Sequence, residues 1–207
     1  MNVANGHFVI TISRLCGAGG TSIGNLLSEK LGIPVYGREL LRMASDMSGI
    51  NEELFERADE RIRNGLLFKI SKEVYDGRSP SPAPDFTADH DLFDYQAKVL
   101  RKLAESESYI VIGRCADYIL KERDDCLNVF IHCPDEQKTE RATKIYNMPE
   151  KNIEKEIKRR NKARSSHYYY YTGLDWGSPG NYDIVLNSGS LGADMCADII
   201  ADIAKNC

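Results

Sequence analysis

The chain has 207 residues, 42% hydrophobic and 28% charged, with 27 basic against 31 acidic residues for a net charge of −4. That length fits one domain with a sizeable core, and the ordinary composition excludes a fibrous, low-complexity or disulfide-stapled chain. The acidic balance argues against nonspecific nucleic-acid binding, no run has the length of a membrane span, and residues 1–6 lack the order of a secretion signal, so neither nucleic acid nor membrane is expected as a partner.

The first predicted element is a strand, Phe8 to Ile12, a β-branched apolar run. It feeds Ser13-Arg14-Leu15-Cys16-Gly17-Ala18-Gly19-Gly20-Thr21-Ser22, and a helix follows over Ser22 to Leu31 with Leu26, Leu27 and Leu31 apolar. Strand, glycine loop and helix together cradle phosphate, because glycines let backbone amides converge and the helix N-terminus adds partial positive charge. On the phosphate-loop frame G-x-x-x-x-G-K-[ST], Gly19 and Thr21 fit, Arg14 takes the place of the first glycine, and Gly20 takes the place of the lysine. The backbone of Gly17, Ala18, Gly19, Gly20, Thr21 and Ser22 is therefore the candidate phosphate site. The Thr21 hydroxyl is the candidate magnesium ligand, or Ser22 if the register shifts by one; either also serves as an ordinary helix cap.

A short strand over Ile33 to Tyr36 is followed by a long, mostly helical insert, 37–106. It opens with Arg38 and Arg42, four apart, which either reach a second phosphate or stand as exposed helix charges. Apolar positions recur at Leu40, Leu41, Met43, Ala44 and Met47, Glu52 to Arg63 is charge-rich, and Gly77 to Pro84 is too proline-rich for a helix. The next strand, Tyr109 to Ile112, runs into Gly113-Arg114-Cys115-Ala116-Asp117. Ligands of open α/β sheets sit at the carboxyl ends of strands, so Arg114 is placed to hold a phosphate bidentately, with a salt bridge to a neighbouring helix as the alternative.

A helix over Ala116 to Lys121, a strand over Leu127 to His132 and a helix over Asp135 to Tyr146 come next. In that last helix Arg141 either points back to the loop or pairs with Glu136 or Glu140. A second insert, 149–180, carries the basic run Lys158 to Arg164, then Tyr168-Tyr169-Tyr170-Tyr171 and Trp176. Arg160 and Arg164 share a helix face, which suits a lid closing on an anion or a merely solvated surface. Adjacent tyrosines cannot share one face, so one or two belong to the core and the rest to the surface. A strand over Asp183 to Leu186 and a helix over Leu191 to Ala204 close the chain. Alternating strands and helices predict an α/β fold with a parallel sheet covered on both faces.

Six cysteines (Cys16, Cys115, Cys126, Cys133, Cys196, Cys207) show no C-x-x-C spacing, and Cys115, Cys126 and Cys133, in or beside apolar runs, read as buried thiols of a cytoplasmic protein. Cys16 has no base beside it in sequence and reads as a small loop residue. The four histidines, His7, His90, His132 and His167, lack metal-ligand spacing.

Taken together, Ile12-Ser13-Arg14 with Gly17-Ala18-Gly19-Gly20 and Ile23-Gly24, Leu31-Gly32-Ile33-Pro34 with Tyr36, Ile110-Val111-Ile112-Gly113-Arg114-Cys115-Ala116-Asp117, and Tyr182-Asp183-Ile184-Val185-Leu186-Asn187-Ser188 resemble the cytidylate kinase-like family of P-loop nucleoside monophosphate kinases over essentially the whole chain. The resemblance implies a three-layer α/β kinase fold as a single domain: core 7–36, 107–148 and 181–207, a helical monophosphate-binding insert 37–106, and a lid 149–180. It implies transfer of the ATP γ-phosphoryl group to CMP, dCMP or a related small acceptor, with ATP and Mg2+. Gly17 to Thr21 would take the donor phosphates. Arg114, aided by Arg38, Arg42 and Asp117, would hold the acceptor, and Arg14, Arg160 and Arg164 would neutralise charge during transfer. Three positions stand apart: Gly20, where true cytidylate kinases carry a lysine that the looser cytidylate kinase-like group already lacks, often with a basic residue next door where this chain has Thr21; Cys115 in place of the aspartate after the motif arginine, with Asp117 two residues on; and Arg160-Asn161 in place of Arg-Asp. The missing lysine leaves open a second reading, a nucleotide-binding regulatory protein with weak or no turnover.

Overall fold

The computed structural model describes residues 6–53, 55–56, 84–146 and 150–206. Five strands form one parallel sheet: β1 Val9–Arg14, β2 Val35–Tyr36, β3 Tyr109–Ile112, β4 Cys126–His132 and β5 Ile184–Asn187, in the order β2-β3-β1-β4-β5. All pairings are parallel, with Ile12 beside both Ile112 and Val129. Seven helices accompany them among the described residues: α1 Gly20–Leu31, α2 Glu39–Ser48, α3 Pro84–Ser106, α4 Ala116–Ile119, α5 Asp135–Tyr146, α6 Glu150–Thr172 and α7 Ser188–Asn206.

Strand side chains alternate between two cores, as a period of two requires. Val9, Tyr109 and Val111 face a cluster with Leu40 and Leu41 of α2 and Leu92 and Leu100 of α3. Ile10, Ile12, Ile110, Ile112, Val129 and Ile131 face Ile23 and Leu27 of α1 and Cys196 and Ile200 of α7. The sheet is thus covered on both faces, which is why its strands read as continuous apolar runs. A third, small cluster joins Cys16 to Ala142 of α5 and to Ile153 and Ile157 of α6. It seats the glycine loop against the arginine-bearing helix.

The predicted strands are all present, and α5 has the predicted bounds. Three helices differ at their ends. α1 begins at Gly20 rather than Ser22, because Gly19 in the left-handed region (φ 78°) turns the chain directly into the helix. α4 stops at Ile119. α7 begins at Ser188 and is broken at Gly192, whose φ 78°, ψ 167° is not helical. The whole basic-then-aromatic run belongs to one helix, α6. The Gly77 to Ala83 loop and most of the Glu52 to Arg63 run lie outside the described residues; Pro84 stands at the start of α3, where its missing N–H is harmless.

Candidate active site

The glycine loop starts where β1 leaves the sheet. Leu15 N–H donates to the Ile131 carbonyl (3.0 Å) and prolongs the strand by one bond. The chain then folds back, with Ala18 N–H donating to the Leu15 carbonyl (3.2 Å). Gly17 (φ 81°) is required by close approach, since a Cβ there would lie 2.7 Å from the Lys138 carbonyl of α5. α1 has no side-chain cap at its N-terminus, so its first-turn amides are left to solvent or an anion.

Three side chains pin the loop from outside. Cys16 N–H donates to Asn161 Oδ1 of α6 (2.8 Å). Ser188 Oγ at the start of α7 donates to the Ala18 carbonyl (2.7 Å). Arg141 of α5 grips Ser188 at Oγ and at its carbonyl, both 3.0 Å, and its Nη1 stands 3.5 Å from where a Cβ on Gly19 would be. Of the two orientations open to Arg141, the structure adopts the one toward the loop.

The β3 motif turns sharply. Gly113, Arg114 and Cys115 have φ of 73°, 64° and 53° in succession. Left-handed backbone at two non-glycine residues costs about 1–2 kcal/mol each, a price met only where surrounding structure holds it, and such conformations cluster at working sites. The turn places both Arg114 and Cys115 on the wall of a cavity of about 660 Å3. That cavity opens between the ends of β1 and β3, the first turns of α1 and α2, and α6. Arg14, Thr21 and Asn25 line one side, Tyr36, Arg38 and Glu39 another, and Arg159, Arg160, Arg164, His167 and Tyr168 of α6 a third, with Trp176 beyond. Six arginines and one carboxylate, Glu39, make the lining strongly cationic, the electrostatics of a polyanion site.

α6 is held down along this wall. Arg164 Nη1 donates to the Arg14 carbonyl (2.9 Å). One turn further on, the Tyr168 hydroxyl donates to Asp117 Oδ2 (2.6 Å). Burial pushes the Asp117 carboxyl up from its ordinary value, and the Tyr168 bond draws it part of the way back. Glu156 binds Arg159 through both oxygens (2.7 Å each) and Arg160 Nε (2.6 Å). These two guanidinium partners hold its carboxyl at about 2. Cys115 Sγ lies 3.5 Å from His167 Nδ1, and burial pushes its thiol up, away from reactivity. Of the four tyrosines, Tyr168 is 3% exposed and Tyr169 60%, as the helical spacing requires. Tyr171 stacks on Phe93 of α3 (4.0 Å between centroids, 7°).

The sequence-derived residues therefore separate into two groups. Arg14, Thr21, Arg38, Arg114, Arg160 and Arg164 meet at the cavity. Gly17, Gly19 and Gly20 form the turn behind it, with Ser22 exposed on the first turn of α1. Three expectations need correction. Asp117 is 4% exposed and does not line the cavity; its carboxylate holds Tyr168 instead. Arg42 lies on the exposed side of α2, outside the cavity, because Leu41 and Ala44 turn the opposite side to the core. The Ala18 amide is already donated to Leu15. Sequence reasoning missed Asn161 as a partner of the loop and passed over Tyr36 and Asn25 on the cavity wall. In sequence Asn161 is marked only as standing in place of the aspartate of an Arg-Asp pair; the docking of α6 on Cys16 gives it this role.

Among the described residues no cluster of three metal-ligating side chains occurs, and no helix is long and apolar enough to cross a membrane. A family model, the cytidylate kinase-like family, matches residues 9–190. The chain is 26% identical over 198 residues to a cytidylate kinase of Methanobrevibacter smithii, covering 95% of this chain and 98% of that one. An uncharacterised protein of Eubacterium ventriosum has a solved structure that aligns with a TM-score of 0.71 at 25% identity, over 97% of this chain and 100% of that one. A shikimate kinase of Bacteroides thetaiotaomicron aligns with a TM-score of 0.54 at 13% identity, over 96% and 98%, a likeness of fold alone. With its parallel five-stranded sheet, its glycine loop between β1 and α1, and a family match over nearly its full length, the chain belongs to the cytidylate kinase-like family of P-loop kinases.

Proposed function

We propose that this protein is a nucleoside monophosphate kinase-like phosphotransferase that moves the γ-phosphoryl group of ATP to CMP, dCMP or a related small acceptor. One observation carries the reading: a single cavity has Thr21 at the mouth of the glycine loop, Arg114 on the β3 turn and Arg160 and Arg164 on α6 around it. Phosphoryl transfer asks a protein mainly to position two anions and offset the charge between them, and that is the work these groups can do.

The open amides of Gly19 to Ser22 and the positive end of α1 fit the donor phosphates. The exposed Thr21 hydroxyl would hold a magnesium ion, which would supply positive charge to offset that of the phosphates. Arg114 holds the acceptor phosphate, and Arg38 lines the same cavity. Arg164, fixed by the Arg14 carbonyl, and Arg160, fixed by Glu156, stand ready to stabilise the charge on the transferring group without reorganisation. In this reading 37–106 is the acceptor-binding insert and 149–180 the lid, here docked on the loop.

A coupled ADP-release assay with ATP, magnesium and each of CMP, dCMP, UMP and AMP tests the reading. CMP or dCMP should turn over, and Arg114→Ala should lower kcat/KM by about 10²–10³, the size of one lost oxyanion-directed donor. Absence of turnover with every acceptor, alongside binding of ATP, would favour the nucleotide-binding regulatory protein that the glycine in the lysine's place suggests.

A further inference from the structure

We propose that the cation absent from the lysine position of the glycine loop has not been lost but has moved to Arg14, so that Arg14 and Gly20 have exchanged residue types across the loop. The inference rests on the donor-phosphate reading of that loop. On the frame G-x-x-x-x-G-K-[ST] the two aberrant positions are the first and the seventh, and they are complementary: a cation where glycine belongs and a glycine where the cation belongs.

The two positions are in contact. A Cβ on Gly20 would lie 2.7 Å from Arg14 Cγ, 2.9 Å from its Cβ and 3.4 Å from its Cδ. Those atoms are the root of the arginine side chain, which cannot swing aside as a flexible end can. The stem of Arg14 therefore fills the volume into which a side chain at position 20 would grow. Backbone conformation does not require glycine at position 20. It is the first residue of α1, and it is not among the glycines with positive φ. Glycine inside a helix costs about 1 kcal/mol against alanine, so its presence here is explained by the arginine stem beside it.

The far end of Arg14 reaches the β3 turn, where its Nη1 abuts the position a Cβ on Gly113 would take. Gly113 is in the left-handed region (φ 73°) and leaves that space open. Arg14 lines the same cavity as Thr21 and Arg114, with its guanidinium at the β3 turn beside Gly113. The Arg14 carbonyl anchors Arg164, tying the relocated cation to the lid in one assembly.

Two linked experiments test the exchange. The first is a double-mutant cycle read by thermal melting without ligand. Gly20→Ala should lower Tm in the wild-type chain and much less in an Arg14→Gly background, which removes both close atoms; additive effects would overturn the contact. The second measures Mg·ATP binding by calorimetry. Arg14→Gly should weaken binding tenfold or more. The reciprocal variant Arg14→Gly/Gly20→Lys, which rebuilds the full frame, should return to within about threefold of wild type. Wild-type affinity in Arg14→Gly would overturn the exchange while leaving the nucleotide reading intact. Failure of the wild type itself to bind Mg·ATP at millimolar concentration would overturn both. Failure of the reciprocal variant to regain affinity, with its melting cooperative, would overturn the exchange alone.

Discussion

Tyr168→Phe removes one oxygen atom and leaves the ring in place, so its consequences can be worked from a single contact. The hydroxyl donates to Asp117 Oδ2 at 2.6 Å, and the two residues are 3% and 4% exposed. Asp117 Oδ1 is already buried without a hydrogen-bond partner. Loss of the tyrosine bond therefore strips the stronger support from a carboxylate that water cannot rescue. Hydrogen bonds to charged groups contribute about 1.5–3 kcal/mol; we expect about 2 kcal/mol of destabilisation at pH 7. In a chain of this size that is about 4–8 °C in Tm. The pH dependence has a definite sign. Burial raises the folded Asp117 pKa above the unfolded 3.8, and the Tyr168 bond lowers it in opposition. This group therefore costs stability as pH climbs from 3.8 through its folded value, and Tyr168→Phe enlarges that cost. Below that raised folded value the carboxyl is protonated in the native state and the mutational effect should shrink to about 1 kcal/mol or less, the worth of a neutral bond. Urea unfolding of both proteins at pH 7 and near the unfolded value of 3.8 decides it. An equal loss at both pH values, or a loss below about 0.5 kcal/mol at pH 7, would refute the assignment of an ionised, tyrosine-held Asp117.

Asn161→Ala leaves the buried Cys16 amide without its 2.8 Å acceptor; the expected outcome is a loss of about 1–2 kcal/mol by denaturant titration, with faster hydrogen exchange at Cys16 and Gly17 that wild-type-like exchange would contradict. Glu156 has its carboxyl drawn down to about 2 by Arg159 and then Arg160, so its contribution is fully present above the unfolded value of 4.5 and is lost as pH falls toward 2. Glu156→Gln should accordingly be less stable than wild type at pH 6 and converge with it near pH 2; parallel stability curves across that window would count against the ion pairs.

Much of the architecture was written in local pattern. β-branched apolar runs bounded by turn residues marked every strand, because residues in a sheet covered on both faces have no solvent-facing alternation to blur. The order of strands and helices required parallel crossovers, and Gly17, Gly19 and Thr21 after β1 marked the phosphate loop, since few sequences place convergent amides at a helix start. Arg114 was identifiable because it follows β3 within a short motif, and Arg160 and Arg164 because they stand four apart in one basic helical run.

What sequence could not determine is which groups meet. Asp117 and Arg114 are three residues apart, yet one is buried and the other lines the cavity, because the left-handed turn Gly113–Cys115 leads into α4, where Asp117 lies among the buried residues. Asn161 and Cys16 are 145 positions apart, and nothing local couples them until α6 lies on the loop. Arg14 and Gly20 were two separate departures from a spacing rule. Only the close approach of the arginine stem to the helix start makes them one feature. Local pattern determined the elements and the residue types, since propensity and periodicity act over a few positions; the partners of those residues were decided by packing, which brings together side chains that the covalent chain keeps far apart.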